Sequence, residues 1–268
     1  MAARARRLNP RARRIGVTLA LLAAALAVVL LRGDLGVPAA GPPGSVFAYG
    51  ELRVGIDPSY PPFAVATSDD LYGLEVDLAR ALGEELGVPV RFVPLGYDGL
   101  YDALRVDSVD VLISALLIDP ARRNDVIYTR PYFDAGLMLV SPVGAPYGDM
   151  TLMPGHRLAY EFGSAADAEA RRWLRRVQPF ERRPYELGRY ALDAVRLGEA
   201  DAALVDAVTT RLYQREHPDW AAQAFYVTDT SYAMAVRADR GGVWAAINGA
   251  LETLAYDGRL DAIVERWL

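Results

Sequence analysis

The chain has 268 residues, 52% of them hydrophobic and 24% charged, enough apolar material for one large domain or two small ones. It contains no cysteine, and every one of its 29 basic residues is arginine, which excludes disulfides, thiolate nucleophiles, cysteine-bound metal, a lipidated cysteine, Schiff-base chemistry and a lysine-bearing phosphate loop. Residues 1–40 hold seven arginines and one aspartate, so the totals of 29 basic and 34 acidic groups leave 22 and 33 for residues 41–268, a net of −11 that opposes nucleic-acid binding.

Six arginines precede Ile15–Leu31, a run of 17 uncharged residues closed by Arg32 and Asp34. A bilayer span needs roughly 20 apolar residues and a signal-peptide core about 7–15, so this run falls between the two. The arginine flank keeps its own end in the cytoplasm and exports the remainder of the chain. Residues 1–44 are therefore read as a signal peptide or membrane-anchoring apolar helix plus a flexible tether, the Gly/Pro/Ala-rich stretch from Gly33 to Ser45. Small residues at Val37–Ala40 offer a cleavage site.

Beyond the tether, short β-like runs alternate with helical ones. Leu52–Ile56 reads as a strand. Leu74–Leu86 has helical apolar spacing, with Gly87 as its C-terminal stop. Val90–Leu95 is a strand, Leu100–Val106 a helix, Val109–Ser114 and Leu137–Val140 strands, and 142–154 a connection. A second cycle comes next: strand Arg157–Phe162, helix Ala165–Arg176, strand Phe180–Arg183, helix Tyr190–Leu197, strand Ala202–Val205, helix Thr209–Glu216 and an extended piece at Phe225–Val227. Strand Tyr232–Val236 and helices Val243–Tyr256 and Leu260–Leu268 close the chain. Such alternation predicts α/β architecture with mostly parallel sheets in two lobes, and ligands in such sheets bind beyond the carboxyl ends of the strands.

The wording of the connections is specific. Asp57-Pro58-Ser59-Tyr60-Pro61-Pro62-Phe63 follows the first strand; then come Gly73-Leu74-Glu75-Val76-Asp77-Leu78-Ala79, Tyr97-Asp98-Gly99-Leu100, Asp110-Val111-Leu112-Ile113-Ser114 and Pro120-Ala121-Arg122-Arg123. Arg130-Pro131-Tyr132-Phe133, Gly163-Ser164, Ala202–Asp206 and Leu254–Leu260 complete the set. From about Glu51 to Leu268 the chain resembles the family 3 extracellular solute-binding proteins that serve ABC importers of polar amino acids.

The resemblance implies a type II periplasmic-binding-protein fold with two crossing strands as hinge, near Val140–Pro142 and Val227–Thr230. Lobe 1 would comprise 45–140 and 229–268, and lobe 2 141–228. It implies a monomer outside the cytoplasm that binds a small zwitterion, delivers it to an importer permease and performs no chemistry. No metal or cofactor is expected, since the only histidines are His156 and His217, far apart.

Arg122 stands where the family holds the ligand carboxylate, and a guanidinium fork suits that task; by residue type alone it is equally a solvated loop arginine. Asp206 ends an apolar strand and would take the ligand ammonium, or only cap the helix after it. Asp57 would read polar groups of the ligand or merely shape the turn at Pro58. Tyr60, Phe63 and Tyr97 would supply aromatic walls, Ser114 a polar contact, and Ser164 with the helix start after it an anion site or a simple cap. Glu75 and Asp77 read as helix-start acids. Leu117 and Asp119 depart from the family, which commonly has a hydroxyl residue at the first position and threonine at the second; the departure permits a more apolar or otherwise altered ligand. Two other readings stay open. One is a dehydratase of prephenate-like acids with Glu161 or Asp206 as general acid, and the other a membrane-tethered ligand-sensing domain, although sensors usually continue into an output domain and this chain ends at Leu268.

Overall fold

The computed structural model describes residues 46–268; the leader and the tether lie outside them. In chain order the elements are β1 (Leu52–Ile56), β2 (Ser59–Tyr60), β3 (Ala64–Ala66), β4 (Leu71–Tyr72), α1 (Leu74–Leu86), β5 (Val90–Pro94), α2 (Leu100–Arg105), β6 (Val111–Leu112) and β7 (Val126–Asp134). They continue as β8 (Leu137–Pro142), β9 (Arg157–Glu161), α3 (Ala165–Trp173), β10 (Glu181–Tyr185), α4 (Gly188–Arg196), β11 (Ala202–Asp206), α5 (Ala207–Glu216) and β12 (Ala222–Tyr226). The chain then returns through β13 (Ser231–Arg237), α6 (Gly241–Tyr256) and α7 (Arg259–Trp267).

Two five-stranded sheets form two lobes. The first runs β5-β1-β6-β13-β7, with β5, β1 and β6 parallel and β13 antiparallel to β6 and β7. The second runs β10-β9-β11-β8-β12, with β10, β9 and β11 parallel and β8 antiparallel to β11 and β12. Apolar runs such as Val54–Ile56 and Ala202–Val205 are buried along their length because helices cover the sheets, as parallel strands require. The β2–β3–β4 flap, a small antiparallel sheet, was not expected from the sequence.

Local chemistry explains the helix limits. Gly87 ends α1 at φ 66°, the left-handed C′ position that glycine fills without a Cβ clash. At the other end Gly73 has φ 136°, and a Cβ there would lie 2.3 Å from the Phe63 carbonyl oxygen. That close approach lets the Pro62 and Phe63 carbonyls accept the Leu74 and Glu75 N–H groups at 3.0 and 2.9 Å. The first turn of α1 is thereby seated on the Tyr60–Phe63 segment.

Each lobe also carries the same arginine clamp. In the first, the backbone N–H, Nε and Nη2 of Arg53 donate to Asp110 at 2.9, 3.0 and 2.7 Å. In the second, the matching groups of Arg157 donate to Asp201 at 2.7, 3.2 and 2.8 Å. Both clamps tie the start of one strand to the residue preceding its parallel neighbour, β6 or β11. The first is buried and the second half-exposed.

Two expectations need correction. The expected hinge at Val140–Pro142 lies inside β8, whose pairing with β11 and β12 makes it a second-lobe strand. The first crossing is therefore the turn from Asp134 to Leu137, and the second runs over 227–230. There the Thr230 carbonyl accepts the Ala135 N–H at 2.6 Å and Thr228 Oγ1 accepts the Leu137 N–H at 2.8 Å. The nine-residue strand β7 was also missed. Its Pro131 cannot donate to a ladder, which argues against a strand, but β7 is an edge and its pairing with β13 shifts register at Ala233, so the proline is tolerated.

Candidate functional site

Parallel β1, β5 and β6 end on one rim of the first lobe. The register Gly55↔Leu112 brings Asp57 and Ser114 side by side just past it. There the Asp57 N–H donates to Ser114 Oγ at 3.0 Å, and Asp57 Oδ1 accepts the Ser59 N–H at 3.0 Å, which turns the chain toward Tyr60. Tyr60 is 44% exposed and lies flat on Phe63, with ring centres 5.3 Å apart. Phe63 itself is fully buried, wedged against Phe133 and Tyr232 at 5.5 and 5.4 Å. Phe63 therefore backs the wall that Tyr60 presents and is no part of its surface, a correction to the sequence expectation that comes from burial behind the flap.

Asp57, Tyr60, Tyr97 and Ser114 line one cavity of about 500 Å³, joined by Leu117 and Tyr232. Ala135 and Thr230, from the two crossing segments, form its flank. The structure thus gathers four of the eight sequence-predicted residues. Arg122 lines a neighbouring hollow of about 590 Å³ that shares Tyr97 and Leu117 with the first. Its guanidinium carbon lies 3.9 Å from the Tyr101 ring centre, and its Nε 3.5 Å from Asp119 Oδ2. The departure noted at position 119 therefore places a carboxylate beside the arginine.

In the second lobe β9, β10 and β11 also end on one rim. Asp206, at the end of β11, caps α5 by accepting the Thr209 N–H at 2.8 Å. The Tyr232 hydroxyl, on the first lobe, has its pKa raised by burial, by its contact with Tyr60, and then by the charges of Asp206 and Glu75. Asp206 does not line the cavity. Ser164 accepts the Ala166 and Asp167 N–H groups at 3.1 and 3.4 Å. The Gly163 N–H donates to Asp167 Oδ2 at 3.1 Å, and Arg171 fixes that carboxylate with two contacts of 2.8 Å. Ser164 therefore caps α3, and the Asp167 carboxylate sits at the Gly163 N–H beside it.

Sequence reasoning missed Tyr232 as a wall residue, because nothing local distinguishes it from a core tyrosine on a returning strand. Glu75 was read only as a helix-start acid. It is buried, and burial pushes its carboxyl up to about 7 against the opposing pull of Tyr132 and of the Ala115 N–H.

Comparison with known proteins matches this architecture. The L-arginine-binding protein of Pseudomonas aeruginosa is 29% identical over 226 residues, covering 81% of this chain and 87% of the relative. Among solved structures, the unliganded, open L-cystine solute receptor of Neisseria gonorrhoeae superposes with a TM-score of 0.72 at 22% identity, over 83% of this chain and 94% of the receptor. An ancestral cyclohexadienyl dehydratase superposes with a TM-score of 0.67 at 24% identity, over 81% of this chain and 92% of that one. These two likenesses show the fold alone. The family model of the bacterial extracellular solute-binding proteins, family 3, matches residues 52–268, and the chain belongs to that family.

Proposed function

We propose that this protein binds an amino acid or a similar small zwitterion outside the cytoplasm and delivers it to an ABC importer, without chemistry. The observation that carries the reading is the cavity itself. Asp57 and Ser114 offer polar groups, and Tyr60, Tyr97, Leu117 and Tyr232 apolar walls, all beside the crossing segments that join the lobes. Family membership and an arginine-binding relative support the ligand class and the importer. The second lobe would bring Asp206 to the ligand ammonium on closure about the crossings. Arg122 would leave Asp119 and Tyr101 to take the carboxylate. Residues 1–44 would direct export and, uncleaved, hold a monomeric protein at the membrane.

The dehydratase alternative gains little from the site. Glu161, one of its nominated acids, already accepts the Gly188 N–H at 2.9 Å.

A thermal-shift screen of the full-length protein against the twenty L-amino acids and prephenate tests the reading, because a ligand bound only by the folded form raises the midpoint. A charge-assisted hydrogen-bond pair contributes about 1.5–3 kcal/mol, so Arg122→Ala should weaken the tightest ligand about 10- to 150-fold. The empty protein should nearly keep its midpoint, since Arg122 is half-exposed and its contacts with Asp119 and the Tyr101 ring lie at the surface. A sharp fall in that midpoint would make Arg122 structural, and consumption of prephenate would replace binding with catalysis.

A further inference from the structure

Glu75 stands directly behind the cavity with 1% of its surface exposed, and none of the roles above uses it. Its Oε1 accepts the Tyr132 hydroxyl and the backbone N–H of Ala115. The Tyr132 oxygen accepts the same Ala115 N–H at 3.2 Å, so two buried groups converge on one amide.

That amide belongs to a residue in an unfavourable conformation. Ala115 has φ 45°, the left-handed region that a residue with a Cβ seldom occupies. It lines the cavity, between Ser114, which holds the Asp57 N–H, and Leu117, which walls both hollows. An alanine free to relax would leave this region and turn Ser114 and Leu117 out of place. A carboxylate at a helix start is served well enough by water, and burying one is costly unless hydrogen bonds compensate it. The bonds to Tyr132 and Ala115 are the compensation the structure offers.

We propose that Glu75 is a positioning residue that pins Ala115 in its left-handed conformation and so fixes the floor of the ligand cavity. This rests on the reading that the cavity receives the ligand. The Phe63 carbonyl accepts the Glu75 N–H at 2.9 Å, so the same residue ties that floor to the segment presenting Tyr60.

The test uses the full-length protein and its Glu75→Ala, Glu75→Gln, Tyr132→Phe and Ala115→Gly variants, with the Glu75→Ala/Ala115→Gly pair. Affinity is measured for each of the twenty L-amino acids, and amide exchange is followed at Ser114–Leu117. Glu75→Ala should weaken the tightest amino acid at least tenfold and speed exchange at Ala115 at least tenfold, while Glu75→Gln, which keeps an acceptor, should retain most of both. Glycine adopts the left-handed conformation freely, so adding Ala115→Gly to Glu75→Ala should recover at least threefold in affinity. Equal losses from Glu75→Ala with alanine or glycine at 115, or unaltered exchange at Ala115, would overturn the proposal. If Glu75→Ala does not fold, Tyr132→Phe tests the same amide, and unaltered exchange there counts equally against it. If no amino acid binds the unmodified protein, the functional reading falls, and amide exchange alone decides the anchoring.

Discussion

Each lobe has a helix that buries a carboxylate in its first turn, and the two carboxylates behave in opposite ways. Asp167 of α3 is gripped by Arg171, which holds it down at about 2, with the Gly163 N–H assisting. Among the described residues Glu75 of α1 has no cation beside it, and burial pushes it up to about 7. The arginine clamps at the strand starts differ as well, buried at Arg53 and half-exposed at Arg157. Polar groups on the second-lobe rim are largely satisfied by their own chain. The first-lobe rim instead keeps a cavity open beside an acid with no counter-charge. A ligand would therefore meet a formed receptor on one side, and on the other a surface that joins in only when the lobes close.

Replacing the clamps tests that contrast most severely. Arg53→Ala leaves Asp110 buried and unpaired, which should cost about 3–5 kcal/mol of unfolding free energy in urea titration. Arg157→Ala exposes its partner to water and should cost clearly less. Equal losses would mean the lobes are not differently buried at these points.

Next in size is a pH effect. Unfolded, Glu75 releases its proton near 4.5, whereas folded it holds it to about 7. Between those values the folded state binds more protons, so stability falls as pH rises and levels off above about 7, by up to about 3 kcal/mol. Asp167 acts in reverse: its contribution is present above the ordinary aspartate value and is lost as pH falls toward 2. Urea midpoints at pH 5 and pH 8 should differ in the natural protein, and much less in Glu75→Gln. An unchanged difference would place the titration elsewhere.

The joint between the lobes carries the smallest expected effect. A Cβ at Gly136 would lie 1.9 Å from the Thr228 carbonyl oxygen, so Gly136→Ala must part the crossing segments. Overpacking of this kind costs about 1–3 kcal/mol and should lower the thermal midpoint. A neutral result would show that the crossings separate without resistance.

Much of this was legible in the sequence because the signals are local. Apolar spacing delimited α1, and Gly87 marked its end. Apolar runs marked β1 and β11, and the alternation of runs implied two α/β lobes. Asp57 was nominated by its place directly after a strand, whereas Tyr60, Tyr97 and Ser114 came from the resemblance and from the preference of ligand pockets for aromatic walls. The edge strand β7 escaped because Pro131 is unfavourable for any interior strand, and only its place at the sheet edge makes it harmless.

Residue types and their periodicity determined most of the elements and their order, since helix and strand spacing are properties of neighbouring residues. Only the tertiary structure decided that Phe63 is buried behind Tyr60, that Ser164 caps its own helix, that Arg122 rests against Tyr101 and Asp119, and that Glu75 reaches Ala115. Each of these outcomes depends on which distant segment displaces water from a side chain, and desolvation is a property of the folded whole.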